Sequence, residues 1–139
     1  MRTDQRANVM LIDDDEDDYY LLNQAFGNYS KQVTLSHQQT VTELLESLLH
    51  LDSLPDLILL DFNIPPSNAL DVLAVLKQDS RTNMIPVIVW SGSLEKGQIT
   101  QCYQAGANSV LLKSPSLSGL VHIVRQLCEY WFEASQLPS

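Results

Sequence analysis

Residues 57–65 read LILLDFNIP, so four consecutive aliphatic residues lead directly into an aspartate, Asp61. A short continuous apolar run of this kind is typical of a parallel strand that is covered on both faces of its sheet. Four further apolar runs lie along the chain, at residues 9–12, 33–35, 86–90 and 110–112. The sequence therefore predicts five strands, three of them almost entirely aliphatic.

Amphipathic stretches separate these apolar runs. Apolar residues recur at helical spacing within residues 22–29, 41–48, 69–76, 99–103 and 117–131. Thr40 or Thr42 and Ser116 are suited to be helix N-caps, and Gly106 is suited to end a helix. Strands that alternate with helices predict an α/β fold of the (βα)₅ type, with a doubly wound five-stranded parallel sheet in a three-layer sandwich.

Length and composition exclude several classes of protein. A chain of 139 residues fits one domain, residues 1–139, that folds without disulfides. Neither a membrane span nor a signal peptide is predicted from its apolar runs. The net charge of −9 argues against direct binding to nucleic acid or anionic membranes. Cys102 and Cys128 lack the spacing of a disulfide framework, which predicts a reducing, cytoplasmic location.

Polar residues follow the predicted strands where their carboxyl ends share one edge of the sheet. They are Asp13 and Asp14, Asp61, Ser91 and Lys113. Three close carboxylates cannot all stay ionised without a cation, and oxygen ligands with room for water favour Mg²⁺. Because the hydroxyl and the ammonium could bind phosphoryl oxygens, this edge predicts an aspartyl phosphate formed on Asp61.

Four motifs resemble the receiver domain of two-component response regulators. They are residues 12–14 (IDD), 57–65 (LILLDFNIP), 86–92 (PVIVWSG) and 105–113, which begins with AGA and ends with lysine. The resemblance extends over about residues 8–136, in the order and spacing of the family. It implies the flavodoxin-like, CheY-like strand order 2-1-3-4-5.

The resemblance also implies a role for each candidate residue. Asp61 is the phosphoacceptor, Ser91 is the switch hydroxyl and Lys113 contacts the phosphoryl group. Asp13 and Asp14 are the metal-site acids, and Asp14 is the more direct ligand of the two. The implied Mg²⁺ site comprises Asp13, Asp14, Asp61 and the backbone carbonyl of Asn63.

The end of the chain indicates the kind of partner. Residues 130–132 (YWF) and 137–138 (LP) resemble the last helix and tail of small stand-alone regulators that partner phytochrome-type and related sensor kinases. The implied function is to accept a phosphoryl group from a sensor histidine kinase and to act by protein contact. Such a protein is a switch with, at most, slow autodephosphorylation, and not an enzyme.

The chain departs from the family at four places. Residues 68–69 are Asn-Ala, Gly92 replaces the usual alanine, and Val110 stands where a switch Tyr or Phe is usual. Residues 113–115 read Lys-Ser-Pro, whereas the family has Lys-Pro joined by a cis bond. A cis Lys–Ser bond would cost about 2.5–4 kcal/mol, so either the loop adopts it or Lys113 is held differently. These departures leave open a phosphorylation-independent binding module.

Two other protein classes share part of the pattern. Haloacid-dehalogenase-type phosphatases also form an aspartyl phosphate, but their Asp-x-Asp motif would need an acid where Asn63 stands. Flavodoxin-type carriers bind phosphate after the first strand, where the acids at residues 13–18 would repel it. Within that run we interpret Glu16, Asp17 and Asp18 as the solvated first turn of a helix. Three histidines lack ligand spacing and predict no site: His37, His50 and His122.

The last helix has a wide apolar face. Its apolar residues span an arc of roughly 220°, well beyond the approximately 100° that a core-facing helix needs. A face of that width predicts a two-fold homodimer through this helix, its neighbouring strand and the fourth helix. The alternative is that the tail folds over the open end of the domain.

Overall fold

The computed structural model describes residues 6–29, 32–50 and 54–138. The strands in these ranges are β1 (Ala7–Ile12), β2 (Val33–Gln38), β3 (Leu57–Asp61), β4 (Asn63–Ile64), β5 (Ser67–Asn68), β6 (Val87–Ser91) and β7 (Ser109–Leu112). Five of them form a parallel sheet in the order β2-β1-β3-β6-β7, which confirms the predicted order 2-1-3-4-5. The antiparallel pair of β4 and β5 was not predicted from the sequence.

Helices follow the strands of the main sheet, as expected for a (βα)₅ fold. They are α1 (Glu16–Tyr29), α2 (Val41–His50), α3 (Ala69–Gln78), α4 (Lys96–Gln104) and α5 (Leu117–Cys128), which continues into a π-helix (Glu129–Ala134). Thr40 caps α2 and Ser116 caps α5, because their side chains accept hydrogen bonds from the amides of Glu43 and Gly119. Gly106 has a φ of 109°, a left-handed conformation that suits the glycine after α4.

Two hydrophobic clusters cover the two faces of the sheet. Residues of α2, α3 and α4 pack in one cluster, and residues of α1 and α5 pack in the other. Strand β3 contributes Ile58 and Leu60 to the first cluster and Leu57 and Leu59 to the second. Every residue of β3 and β6 is buried, which confirms the interpretation of their sequences as strands covered on both faces. The packing on both faces of the sheet therefore extends to the ends of these strands.

The apolar face of the last helix is partly covered by the rest of the chain and partly exposed. Trp131 and Phe132 pack against the cluster between α1 and the sheet, and the Tyr29 hydroxyl of α1 donates a hydrogen bond to Glu133. Part of the wide apolar arc is thus covered by the chain itself. Leu117 and Tyr130 remain exposed by 40% and 58%, and the homodimer stays a prediction.

Two further observations bear on the predictions from composition. None of the helices in the described ranges has the length and apolar character needed to cross a membrane. Cys102 and Cys128 are both buried free thiols, in agreement with the expectation that they form no disulfide.

Candidate functional site

Asp13 is fixed at the carboxyl end of β1 by contacts to its own backbone and side chain. Its backbone N–H donates to the Gln38 carbonyl at 3.1 Å, and His37 Nε2 donates to its carbonyl oxygen at 2.7 Å. Its Oδ1 accepts a hydrogen bond from the Asp15 amide at 2.9 Å. The side chain is fully buried, whereas that of Asp14 is exposed. The two neighbouring acids therefore lie in very different environments.

Asp61 lies at the end of β3, next to β1 in the sheet. It is buried, and its carboxylate accepts a hydrogen bond from the Asn63 backbone amide. Carboxylate oxygens of Asp13, Asp14 and Asp61 lie within 4.8 Å of one another. The predicted convergence of these three acids at one edge of the sheet is therefore present, with a buried pair and one exposed member.

Burial makes the charged forms of the two buried acids unfavourable. Loss of solvent, together with the nearby charge of Asp61, raises the pKa of Asp13 to about 8, although the Asp15 amide acts in the opposite direction. Burial also raises the pKa of Asp61, while the Lys113 ammonium opposes the rise. Two such carboxylates favour a cation beside them, as the sequence predicts.

Lys113 follows β7 and reaches into the carboxylate cluster. Its Nζ lies 2.7 Å from Asp18 Oδ2, 3.2 Å from Asp13 Oδ2 and 3.4 Å from Asp61 Oδ1. Burial favours the neutral amine, but the hydrogen bond to Asp18 and the other carboxylates outweigh burial and raise the pKa of Lys113. The lysine is therefore a permanent positive charge beside Asp61.

The loop after Lys113 does not use the cis bond of the family. Within the described ranges the cis peptide bond is Pro65–Pro66, so the Lys113–Ser114 bond is trans. The Lys113 amide donates to the Ser91 carbonyl at 2.8 Å, which continues the pairing of β6 and β7. Of the two alternatives left open by the sequence, a lysine held in a different way is the one observed.

Ser91 ends β6 and Asn63 lies two residues after Asp61, and neither side chain has a hydrogen bond to the acidic cluster in the described ranges. Ser91 is buried at the end of β6, and its hydroxyl donates to the Ser93 carbonyl at 3.2 Å. Asn63 is exposed and pairs through its backbone with Asn68 in the short β4–β5 ladder. The structure thus brings the acids and the lysine together, whereas the serine hydroxyl is engaged within its own loop.

Two residues that contact Lys113 were not identified from the sequence. Asp18, interpreted as part of a solvated helix turn, is its nearest carboxylate, and the ring centroid of Trp90 lies 4.8 Å from its Nζ. The sequence indicates Asp18 only through its place in the acidic first turn of α1, directly after the acids that follow β1. The sequence gives less indication that Trp90 contacts Lys113, because alternation along a strand places Trp90 on the face opposite to Ser91.

Comparison with known proteins agrees with this geometry. The sequence matches the response regulator receiver domain over residues 9–125. Response regulator Rcp1 of Synechocystis sp. is 35% identical over 85 residues, which cover 61% of this chain and 58% of that protein. The match thus spans less than two thirds of the length of that relative.

Solved structures extend the likeness over almost the whole chain. The phosphorylated cyanobacterial phytochrome response regulator RcpA has a TM-score of 0.88 and 32% identity, over 96% of this chain and 99% of that one. The Mn²⁺-bound form of response regulator Rcp1 has a TM-score of 0.84 and 26% identity over the same shares. With its sheet order, its acidic cluster and its lysine, this chain belongs to the family of response regulator receiver domains.

Proposed function

We propose that this receiver domain accepts a phosphoryl group from a sensor histidine kinase onto Asp61, in a Mg²⁺-dependent reaction, and signals by protein contact. The observation that supports this most strongly is the cluster itself. Asp61 is buried beside Asp13, with the Lys113 ammonium 3.4 Å from its Oδ1. A nucleophilic carboxylate and a fixed positive charge are the groups that phosphoryl transfer to an aspartate requires.

The transfer conserves atoms and charge. An Asp61 oxygen attacks phosphorus, the bond between phosphorus and the kinase histidine nitrogen breaks, and its electron pair returns to the imidazole ring. Lys113 pairs with one phosphoryl oxygen as a point charge. In this proposal the Ser91 hydroxyl turns from the Ser93 carbonyl, its partner at 3.2 Å, to bind another phosphoryl oxygen.

The residues present fit a hard divalent cation. Two buried carboxylates lie beside an exposed one, and Asp14 leaves an open side for water ligands. Asp13, Asp14, Asp61 and the Asn63 backbone carbonyl would hold the ion. When bound, it neutralises negative charge on the phosphoryl oxygens. The similar regulator Rcp1 has been solved in a Mn²⁺-bound form, which supports the proposal that this chain binds a divalent metal.

The output surface in this proposal is the face formed by α4, β7 and α5. Four large side chains are exposed on this face and the adjoining π-helix: Tyr103, Leu112, Leu117 and Tyr130. The Tyr103 hydroxyl accepts a hydrogen bond from the Val110 amide at 3.3 Å, which connects α4 to the strand that lacks the usual switch aromatic.

We expect a homodimer through the face formed by α4, β7 and α5. Sedimentation at tens of micromolar protein tests it, and a single-chain mass with and without phosphoryl donor would contradict it.

The partner and location complete the proposal. A phytochrome-type kinase is supported by the likeness to RcpA, which is a phytochrome response regulator. A reducing cytoplasm suits the free thiols, and the net charge of −9 disfavours direct contact with nucleic acid. Co-purification with a phytochrome-type kinase and transfer of radiolabelled phosphate from it would test the pairing.

Intact-protein mass spectrometry tests the central reaction. The protein is incubated with acetyl phosphate and Mg²⁺, beside Asp61→Asn and a sample treated with chelator. We expect one phosphoryl adduct that is absent from both controls, because one lacks the nucleophile and the other the cation. A matched charge control is Asp71→Asn, on the exposed side of α3, which should be phosphorylated like the wild type.

One alternative function is supported by a specific observation. Val110 lacks an aromatic ring and the Lys113–Ser114 bond is trans, so the usual switch elements differ. A phosphorylation-independent binding module would keep the fold and form no adduct. A folded wild-type protein without an adduct would favour this alternative.

A further inference from the structure

We propose that Asp18 is a positioning residue for the phosphorylation of Asp61. Its carboxylate holds the Lys113 ammonium and competes for it with the phosphoryl group. This inference rests on the proposed function and adds a residue that limits the lifetime of the phosphorylated state.

The distances place Lys113 closer to Asp18 than to the phosphoacceptor. Nζ lies 2.7 Å from Asp18 Oδ2 and 3.4 Å from Asp61 Oδ1. The side chains of Lys113 and Asp18 are only 19% and 24% exposed, so solvent screens their attraction less than at an open surface. Asp18 comes from α1 and not from a strand end. It therefore belongs to an element separate from the loops that surround Asp61.

Trp90 limits where the ammonium can move. Its ring centroid lies 4.8 Å from Nζ, and the side chain is buried within the cluster between the sheet and α1 and α5. An ammonium at this distance from an indole ring is attracted to it. The Lys113 ammonium thus lies between an aromatic ring and three carboxylates, so a small shift moves it from one carboxylate to another.

Competition follows from the number of acceptors around one ammonium. Lysine has three N–H donors, and Asp13, Asp18 and Asp61 already surround it. A phosphoryl group on Asp61 would add three oxygens and a charge of about −1.5 to −2. The Asp18 carboxylate, 2.7 Å from Nζ, draws the ammonium away from those oxygens. If the Asp18 charge is removed, the Lys113 ammonium can bind the phosphoryl oxygens without this competitor.

The test compares Asp18→Asn with Asp17→Asn. Both changes remove one negative charge from the same turn of α1, but in the described ranges no hydrogen bond or ion pair joins the Asp17 side chain to Lys113. Acetyl phosphate is the donor: a bond forms between Asp61 oxygen and phosphorus, and acetate leaves with the electron pair of the broken bond. We expect Asp18→Asn to prolong the phosphorylated state about three- to tenfold, and Asp17→Asn to change it less than about twofold.

Two readouts separate positioning from a general effect on the fold. In a Lys113→Gln background, Asp18→Asn should no longer change the lifetime, because the group it competes for is gone. In a Trp131→Phe background, the emission of Trp90 reports the ammonium near its ring. Phosphorylation should therefore change that emission differently in Asp18→Asn than in the parent.

The outcomes distinguish this inference from the proposed function. Wild type that is phosphorylated, with Asp18→Asn indistinguishable from Asp17→Asn, would overturn the role of Asp18 alone. An Asp18→Asn effect that persists without Lys113 would overturn it as well. Folded wild type that forms no adduct would overturn the proposed function and, with it, this inference.

Discussion

Asp13 at the end of β1 and Lys113 at the end of β7 face each other across the site, but they are held in different ways. The backbone N–H and carbonyl of Asp13 and its own Oδ1 are all hydrogen-bonded to main-chain or ring groups of β2 and the following turn. The Lys113 ammonium is held by the carboxylates of Asp13, Asp18 and Asp61. On the carboxylate side of the site, which comprises Asp13, Asp14 and Asp61, the buried Asp13 is thus held largely by hydrogen bonds to the neighbouring strand.

The lysine side of the site, residues 113–116 with Ser91, has contacts that are easier to exchange. The Ser91 hydroxyl bonds to its own loop, and an added Cβ at Gly92 would meet nothing within 4 Å. A phosphorylation switch requires this difference. The carboxylate side must bind its ligand specifically, which favours fixed contacts, whereas the lysine side must respond at a small cost in free energy, which favours contacts that can be exchanged.

The largest expected effect concerns the carboxylate side. Asp13→Asn replaces the carboxylate of one proposed ligand by an amide of the same size, so we expect Mg²⁺ binding to weaken by about 10- to 100-fold. Mg²⁺ should raise the melting temperature of the wild type by mass action and have little effect on the variant. Calorimetric titration and thermal unfolding, each with and without Mg²⁺, measure both quantities.

Asp71→Asn serves as the control for this change, since Asp71 lies exposed in the first turn of α3 and outside the acidic cluster. It should bind Mg²⁺ like the wild type. Equal affinity in Asp13→Asn and wild type would show that the metal does not occupy the carboxylate side.

An intermediate effect concerns the packing of the loop that follows Lys113 in the chain. A Cβ at Gly119 would lie 2.0 Å from Ser114 Oγ and 2.8 Å from Ser114 Cβ. Gly119→Ala should therefore displace Ser114 and lower the free energy of unfolding by about 1–2 kcal/mol, despite the helix propensity of alanine. Urea unfolding measures the stability, and the rate of phosphorylation by acetyl phosphate should fall because Lys113 adjoins Ser114.

Gly27 in α1 provides the matched comparison, because an added Cβ there meets nothing within 4 Å. Gly27→Ala should raise the free energy of unfolding by about 0.5–1 kcal/mol and leave phosphorylation unchanged. The double variant Ser114→Gly with Gly119→Ala should recover stability, since the colliding side chain is gone. If Gly119→Ala behaves like Gly27→Ala, close packing does not hold the lysine side.

The carboxylate side and the lysine side also differ in how much of each can be predicted from the sequence. Strands β1, β3 and β6 are nearly continuous apolar runs, and the acids after β1 and at the end of β3 are predicted from their position at the sheet edge. Burial by the sheet then decides where Asp13 and Asp61 lie. Local periodicity is sufficient for this part of the site.

The contacts of the lysine side depend on residues far apart in the chain. Asp18 and Lys113 are separated by 95 positions, and no local pattern marks such a pair. The direction of the Ser91 hydroxyl is a rotamer choice, which depends on the Ser93 carbonyl nearby. The packing of Trp131 and Phe132 against the α1 cluster likewise follows from tertiary contacts, because an apolar arc alone does not tell which of its neighbours covers it.

The smallest expected effect comes from two helix caps, of which only one adjoins the lysine side. Thr40 caps α2, and Ser116 caps α5 in the loop that follows Lys113. Either Thr40→Ala or Ser116→Ala should lower the free energy of unfolding by about 1 kcal/mol, because each leaves a helix amide without its acceptor. Only Ser116→Ala should also alter the phosphoryl lifetime, since it removes the hydroxyl that lies 3.4 Å from Ser114 Oγ, next to Lys113. Measuring unfolding and the decay of the adduct in both variants separates stability from switching. Equal lifetimes at equal loss of stability would mean that the cap of α5 only supports the fold, and that the position of Lys113 is set by its carboxylate partners alone.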